Sequence, residues 1–207
     1  MHIKNTQYKF KLFFLIVSLF SLVAYGSATS ETSSTTDTET EDTSSTFSLT
    51  SVAISDGELL DDYKCETKVS DIESSIPLTW ENVPSSANSL AIIMHHFPNS
   101  EDTSQANSYL LLWDIATTET TIAYGEADDG SWYMGSNKDG TAISYTSACS
   151  PSSGTHAYTI TVYALSETPS SLPTTSSLSV DYDTLKAAIA TVTTIDTATL
   201  DFNDVTE

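Results

Sequence analysis

From residue 47 onward, apolar positions recur mostly with a period of two. Phe47, Leu49 and Ser51 alternate with Ser48, Thr50 and Val52, the pattern of a half-buried strand. Residues 90–94 (Leu-Ala-Ile-Ile-Met) and 109–113 (Tyr-Leu-Leu-Leu-Trp) are short unbroken apolar runs, as expected of strands buried on both faces. Residues 157–165 read Ala-Tyr-Thr-Ile-Thr-Val-Tyr-Ala-Leu, dense in β-branched and aromatic side chains. Turn punctuation separates these runs at Asp56-Gly57, Val83-Pro84-Ser85, Asp129-Gly130, Asp139-Gly140 and residues 151–154. Short strands at this spacing predict a mainly β, antiparallel sandwich or barrel. One short helix is predicted near the C-terminus. Ser179 or Asp181 caps it, and Leu185, Ala188, Ile189 and Val192 recur at helical spacing.

Upstream of these strands the chain changes character twice. Lys4, Lys9 and Lys11 precede an apolar or small-residue run over 12–25, and Gly26-Ser27-Ala28 supplies small residues for cleavage. Residues 1–28 are therefore expected to be a signal peptide, which makes the product secreted or periplasmic. The alternative is an uncleaved anchor, but the run is shorter than the roughly 20 residues a spanning helix needs. No Cys follows it for lipid attachment. Residues 29–46 are almost wholly Ser, Thr, Glu and Asp, with nothing to bury, and are expected to form a disordered spacer. Residues 47–207 then make one domain of ordinary size.

Charge narrows the partners. The seven cationic side chains are all Lys, against 28 Asp and Glu, for a net charge of −21. Removing residues 1–28 takes away three Lys and no acid, leaving −24. Nucleic acids and anionic membrane surfaces need cationic contacts, so neither is an expected partner, and no stable membrane insertion is expected after cleavage. The charge itself fits solubility or a salty habitat. Two cysteines, Cys65 and Cys149, lack the spacing of a zinc site. In an exported chain they are expected to form one disulfide, worth on the order of 4 kcal/mol by chain entropy, the alternative being two separately buried thiols.

Candidate chemistry centres on three histidines, His95, His96 and His156, each at a predicted strand end, where loops build sites on a rigid scaffold. His156 and Tyr158 are two apart and share a face, whereas His95 and His96 are adjacent and face opposite ways unless the strand bulges.

Several segments together resemble the phosphatidylethanolamine-binding protein family, the Raf-kinase-inhibitor-protein-like fold. Ser75-Ile76-Pro77-Leu78-Thr79-Trp80, then Val83-Pro84, then Ser89-Leu90-Ala91-Ile92-Ile93, is similar to its S-P-x-L-x-W…V-P…S-x-A-x-x run. Residues 145–151 (Tyr-Thr-Ser-Ala-Cys-Ser-Pro), Gly154-Thr155-His156-Ala157-Tyr158 and Val162-Tyr163-Ala164-Leu165 are similar to its Y-x-G-P-C-P-P…G-x-H-R-Y…V-Y-A-L run. Tyr63-Lys64-Cys65 resembles the Y-x-C of exported members. The helix over 185–192 followed by Ala198-Thr199-Leu200 fits the family's C-terminal end. The resemblance spans about residues 47–202 and implies an antiparallel β-sandwich of that family's type with a short C-terminal helix. It also implies a small pocket for phosphate, acetate or phospholipid headgroups, and, in some members, inhibition of kinases or proteases.

This chain departs from the pattern at the pocket. The D-P-D-x-P loop falls at His96-Phe97-Pro98-Asn99-Ser100, so both carboxylates are missing. The pocket His of the next strand falls at Tyr109, H-R-Y becomes His156-Ala157-Tyr158, and the loop Gly falls at Ser147. The expected ligand-binding residues are thus His96, Tyr109, His156 and Tyr158. Imidazole N–H and phenol O–H groups would form a donor-rich site for an oxyanion or headgroup, cationic if the imidazoles protonate.

No cofactor is expected. A two-His metal site is the sharper alternative, but no carboxylate is evidently placed to complete it. A Ser–His–acid hydrolase lacks the G-x-S-x-G elbow, so no catalytic residue is assigned and the chain is read as non-enzymatic. Trp113, Trp132 and Tyr133 fit a sandwich core better than a sugar platform. The rival functional reading is a secreted interaction or inhibitor protein, acting on a protein partner, with a degenerate pocket.

Overall fold

The computed structural model describes residues 45–65, 73–99, 101–150 and 152–206. The expected signal peptide and all but the last two residues of the expected spacer lie outside them. Ten strands and one α-helix follow in order: β1 (Ser48–Thr50), β2 (Ile54–Ser55), β3 (Glu58–Leu59), β4 (Leu78–Glu81), β5 (Ser89–His96), β6 (Asn107–Ile115), β7 (Thr121–Ile122), β8 (Tyr133–Met134), β9 (Gly154–Leu165), α1 (Tyr182–Ile189) and β10 (Thr194–Thr206). The apolar runs at 90–94, 109–113 and 157–165 all fall inside β5, β6 and β9.

The sandwich expectation needs correction. The protein is mainly β with one short helix, but its two sheets are unequal: β1-β4-β7, and a seven-stranded sheet ordered β2-β3-β10-β9-β5-β6-β8. Nor is the large sheet purely antiparallel, since β10 and β3 pair in parallel at Asn203 and Glu58. Its two faces serve different cores. Leu90, Ile92 and Met94 of β5 pack with Leu78 and Trp80 of β4, while Ala91 and Ile93 of the same strand pack with Leu185, Ala188 and Ile189 of α1. A strand buried on both faces loses the polar alternation that a two-layer sandwich would show. That explains the unbroken apolar runs and makes the architecture three-layered at its centre.

Local chemistry sets the remaining joints. Asp56 (φ 53°) and Gly57 (φ 78°) join β2 to β3 in a two-residue turn that requires positive φ at both positions, which Asp tolerates and Gly accepts freely. Asp181 is the N-cap of α1, its carboxylate accepting the Thr184 N–H at 2.9 Å, a contact worth about 1 kcal/mol. Ser179 is not the cap. The helix ends at Ile189, so Val192 packs against the same core from the following turn. Cys65 and Cys149 are bonded, with Cα atoms 5.4 Å apart. Such a bond fits a non-cytoplasmic, oxidising compartment. Among the described residues no helix is long and apolar enough to cross a membrane.

Candidate functional site

The four expected ligand-binding residues come together at one end of the large sheet. His96 ends β5, His156 and Tyr158 lie two apart near the start of β9, and Tyr109 lies near the start of β6. The rings form a continuous cluster. His96 stacks on Tyr158 at 5.1 Å and meets His156 edge-on at 6.1 Å, and Tyr109 meets Tyr158 edge-on at 5.1 Å. The tyrosines form a floor, only 3% and 2% exposed for Tyr109 and Tyr158, while both imidazoles are half-buried at the surface.

The hydrogen bonds change what these groups offer. The His96 Nδ1–H donates to the Ala157 carbonyl at 2.8 Å, and the His156 Nε2–H donates to the Ser152 carbonyl at 3.1 Å. Each neutral ring has one N–H, and both are spent on backbone. Neutral imidazoles therefore present lone pairs at His96 Nε2 and His156 Nδ1, not the donors expected from the sequence. Protonation converts both atoms into donors carrying positive charge. The phenols are held neutral: burial pushes Tyr109 up, and burial, then the neighbouring Tyr109, pushes Tyr158 up.

His95 is on the opposite face, as the alternation predicts, although the β5–β6 ladder is irregular between Met94 and His95. Its ring packs against Phe97 at 4.7 Å and Tyr182 of α1 at 5.3 Å, and its Nδ1 is buried with no hydrogen-bond partner among the described residues. Burial, reinforced by the Lys186 charge, lowers its pKa below 6.5. A depressed imidazole pKa means that the unfolded chain binds more protons below about pH 6.5. Stability linked to His95 is thus complete above the unfolded pKa and is lost as pH falls from there toward the folded value. Thermal melts between about pH 7.5 and 5 should show a shallower acid loss for His95→Phe than for wild type. Parallel curves would show that His95 is not buried neutral.

Two residues unforeseen in the sequence complete this face. Phe202 of β10 stacks on Tyr158 at 5.3 Å and 13°, and Asp204, 1% exposed, is the register partner of His156. Asp204 also helps raise the Tyr158 pKa. Reading residues 198–206 with a period of two would have placed both on the site's face. Two cavities, of about 340 and 270 Å³, lie elsewhere. Glu73, Asp128, Asp139 and Tyr145 line part of the first, and Ser108, Lys138, Asp181 and Tyr182 part of the second. Among the described residues no group of three or more His, Cys, Asp or Glu is arranged to hold a metal. Trp113 and Trp132 are tied into the domain through indole N–H bonds to the Pro173 and Ala127 carbonyls.

The sequence profile of the phosphatidylethanolamine-binding protein family matches residues 50–203, most of the chain. The protein belongs to this family. Solved structures agree. The chain is similar to a phosphatidylethanolamine-binding protein homologue from Chlamydia trachomatis, with 25% identity, a TM-score of 0.63, and 78% of this chain and 98% of that one covered. It is also similar in fold to E. coli YbcL, described as a member of the mammalian family, with 20% identity, a TM-score of 0.63, and coverage of 78% and 99%. No curated protein matches in sequence. As a phosphatidylethanolamine-binding protein family member, the chain is a binding protein by kinship. His96 and Tyr109 stand where the family pattern places a carboxylate and a histidine.

Proposed function

We propose that this protein is an exported, non-enzymatic binding protein whose site takes a small oxyanion, such as phosphate, acetate or the phosphate of a phospholipid headgroup. The observation that carries the reading is the pairing of His96 and His156. Their rings meet 6.1 Å apart at the surface, each with one nitrogen fixed on a backbone carbonyl. The carbonyl contacts orient the rings and leave His96 Nε2 and His156 Nδ1 for a ligand. An anion placed there turns two lone pairs into two charge-assisted donors by drawing protons onto the rings. The buried Tyr109–Tyr158–Phe202 floor excludes water from below and lowers the local dielectric, which strengthens those contacts.

The non-enzymatic reading is supported by the same geometry. His156 contacts the backbone carbonyl of Ser152 and not its hydroxyl, so these two residues are not paired for acyl transfer. Calorimetric titration of phosphate and of acetate at about pH 5 and about pH 8 tests the proposal, because imidazole charge changes across that interval. Binding should strengthen at the lower pH. Absence of binding at both would overturn the anion site and leave the protein-partner reading.

A further inference from the structure

Segment 145–150 lies against the histidine–tyrosine site and is anchored by the Cys65–Cys149 bond. The Thr146 N–H donates to the Tyr109 carbonyl at 2.9 Å. The Cys149 backbone amide faces the Tyr158 hydroxyl and opposes the rise in its pKa. Just beyond, the Ser152 carbonyl accepts the ring N–H of His156. The segment is also held by the Tyr145 N–H to Asp128 at 3.1 Å and by the Ser147 N–H to Glu73 Oε2. Three of the four site residues therefore take a contact from this segment or from Ser152. Beyond the peptide backbone it is tied covalently to Cys65 by a disulfide, of which Cys149 is the exposed residue and Cys65 the half-buried one.

We propose that the Cys65–Cys149 bond is a redox latch on the anion site: a dithiol reductant opens it at Cys149, segment 145–150 loosens, and the site loses its grip on the ligand. This rests on the anion-site reading given above. The exchange is balanced. A thiolate of the reductant attacks the sulfur of Cys149, the more exposed of the two residues, forms a mixed disulfide and expels Cys65 as a thiolate, which takes up a proton. The second thiol of the reductant then displaces Cys149, which is released as a thiol, and the reductant leaves as its own disulfide, having given two electrons. Attack falls on Cys149 because exchange depends on access to the sulfur. Once the tie is cut, the contacts to the Tyr109 carbonyl and the Tyr158 hydroxyl lose their covalent anchor and rest on hydrogen bonds such as those to Asp128 and Glu73. His156, oriented through Ser152, is freed to rotate its Nδ1 away from the ligand. Anion affinity falls because orientation is lost, with no charge removed.

The test compares the oxidised full chain, the chain reduced with dithiothreitol and moved anaerobically to about pH 6, and Cys149→Ser, with inorganic phosphate as the probe. Three readouts are taken: calorimetric affinity, circular dichroism for the fold, and hydrogen exchange at the Thr146 amide. The expected result is a reduced chain that stays folded, exchanges the Thr146 amide faster, and binds phosphate about tenfold more weakly, the loss equivalent to about 1.4 kcal/mol of orientation. Reoxidation should restore both. Equal phosphate affinity in folded oxidised and reduced protein overturns the latch and leaves the anion site standing. Failure of the oxidised chain to bind phosphate overturns the anion site, and the latch with it. Global unfolding on reduction and in Cys149→Ser shows the disulfide to be a brace for the whole domain, which also overturns the latch.

Discussion

His156→Ala should weaken phosphate binding about ten- to a hundredfold, whereas His95→Ala should leave it unchanged. On the proposed site the removed imidazole would supply one charge-assisted hydrogen bond, worth roughly 1.5–3 kcal/mol. His95 carries the same chemistry next to His96 in sequence, but it faces Tyr182 of α1 across the sheet. The comparison therefore tests strand alternation as well as the site. Affinity should also rise as pH falls through 7 toward 5. A ligand that binds the imidazolium better raises its pKa, and by linkage is itself bound better where the proton is present. His156→Ala should flatten that dependence. Calorimetry on the three proteins at two pH values decides it, and equal losses in the two mutants would place the ligand elsewhere.

Trp80→Ala should cost about 3–5 kcal/mol of stability, the range for deleting a buried indole and leaving a cavity. Trp80 of β4 is 0% exposed and sits in the core between the small sheet and the large one. Its ring N–H donates to the Glu119 carbonyl at 2.7 Å, fixing the connection that leads into β7. A loss of that size is a large part of the total stability of an ordinary domain, 5–15 kcal/mol. At about 2–4 °C per kcal/mol the melting temperature should fall by roughly 6–20 °C. Val52→Ala, at a side chain 75% exposed, is the control and should shift stability by less than about 0.5 kcal/mol. A drop below about 1.5 kcal/mol for Trp80→Ala would show that the small sheet is not part of the cooperative core.

The strands of the central sheet were legible because a strand buried on both faces is apolar throughout, as residues 90–94 and 109–113 are, and because residues 157–165 are dense in β-branched and aromatic side chains. The helix was legible because Asp181 and the spacing of Leu185, Ala188 and Ile189 act locally. The layering was not. Whether a second face of a strand meets another sheet or a helix depends on partners far along the chain, and the pairing of β3 with β10 leaves no local trace. At the site, the four residues came from family motifs and from alternation, and they do converge. The spending of both imidazole N–H groups on the Ala157 and Ser152 carbonyls could not be read, since one depends on how the end of β5 meets β9 and the other on the course of the loop before β9. Asp204 escaped notice because residues 201–206 alternate too weakly in polarity to announce a strand.

The partners of β10 bear on how the chain is made. The Asn203 N–H donates to the Gly57 carbonyl at 2.8 Å, and the Lys64 ammonium reaches the Val205 carbonyl at 3.0 Å. Strand β10 also forms the longest ladder among the described residues, with β9. Synthesis runs from the N-terminus at about 5–20 residues per second, so these early and middle segments wait several seconds or more for their last partner. Until then β3 and β9 present open edges and the domain cannot close. A chain that has not yet made Thr194–Thr206 lacks the strand that joins β3 to β9, so its large sheet stays open until that segment is added.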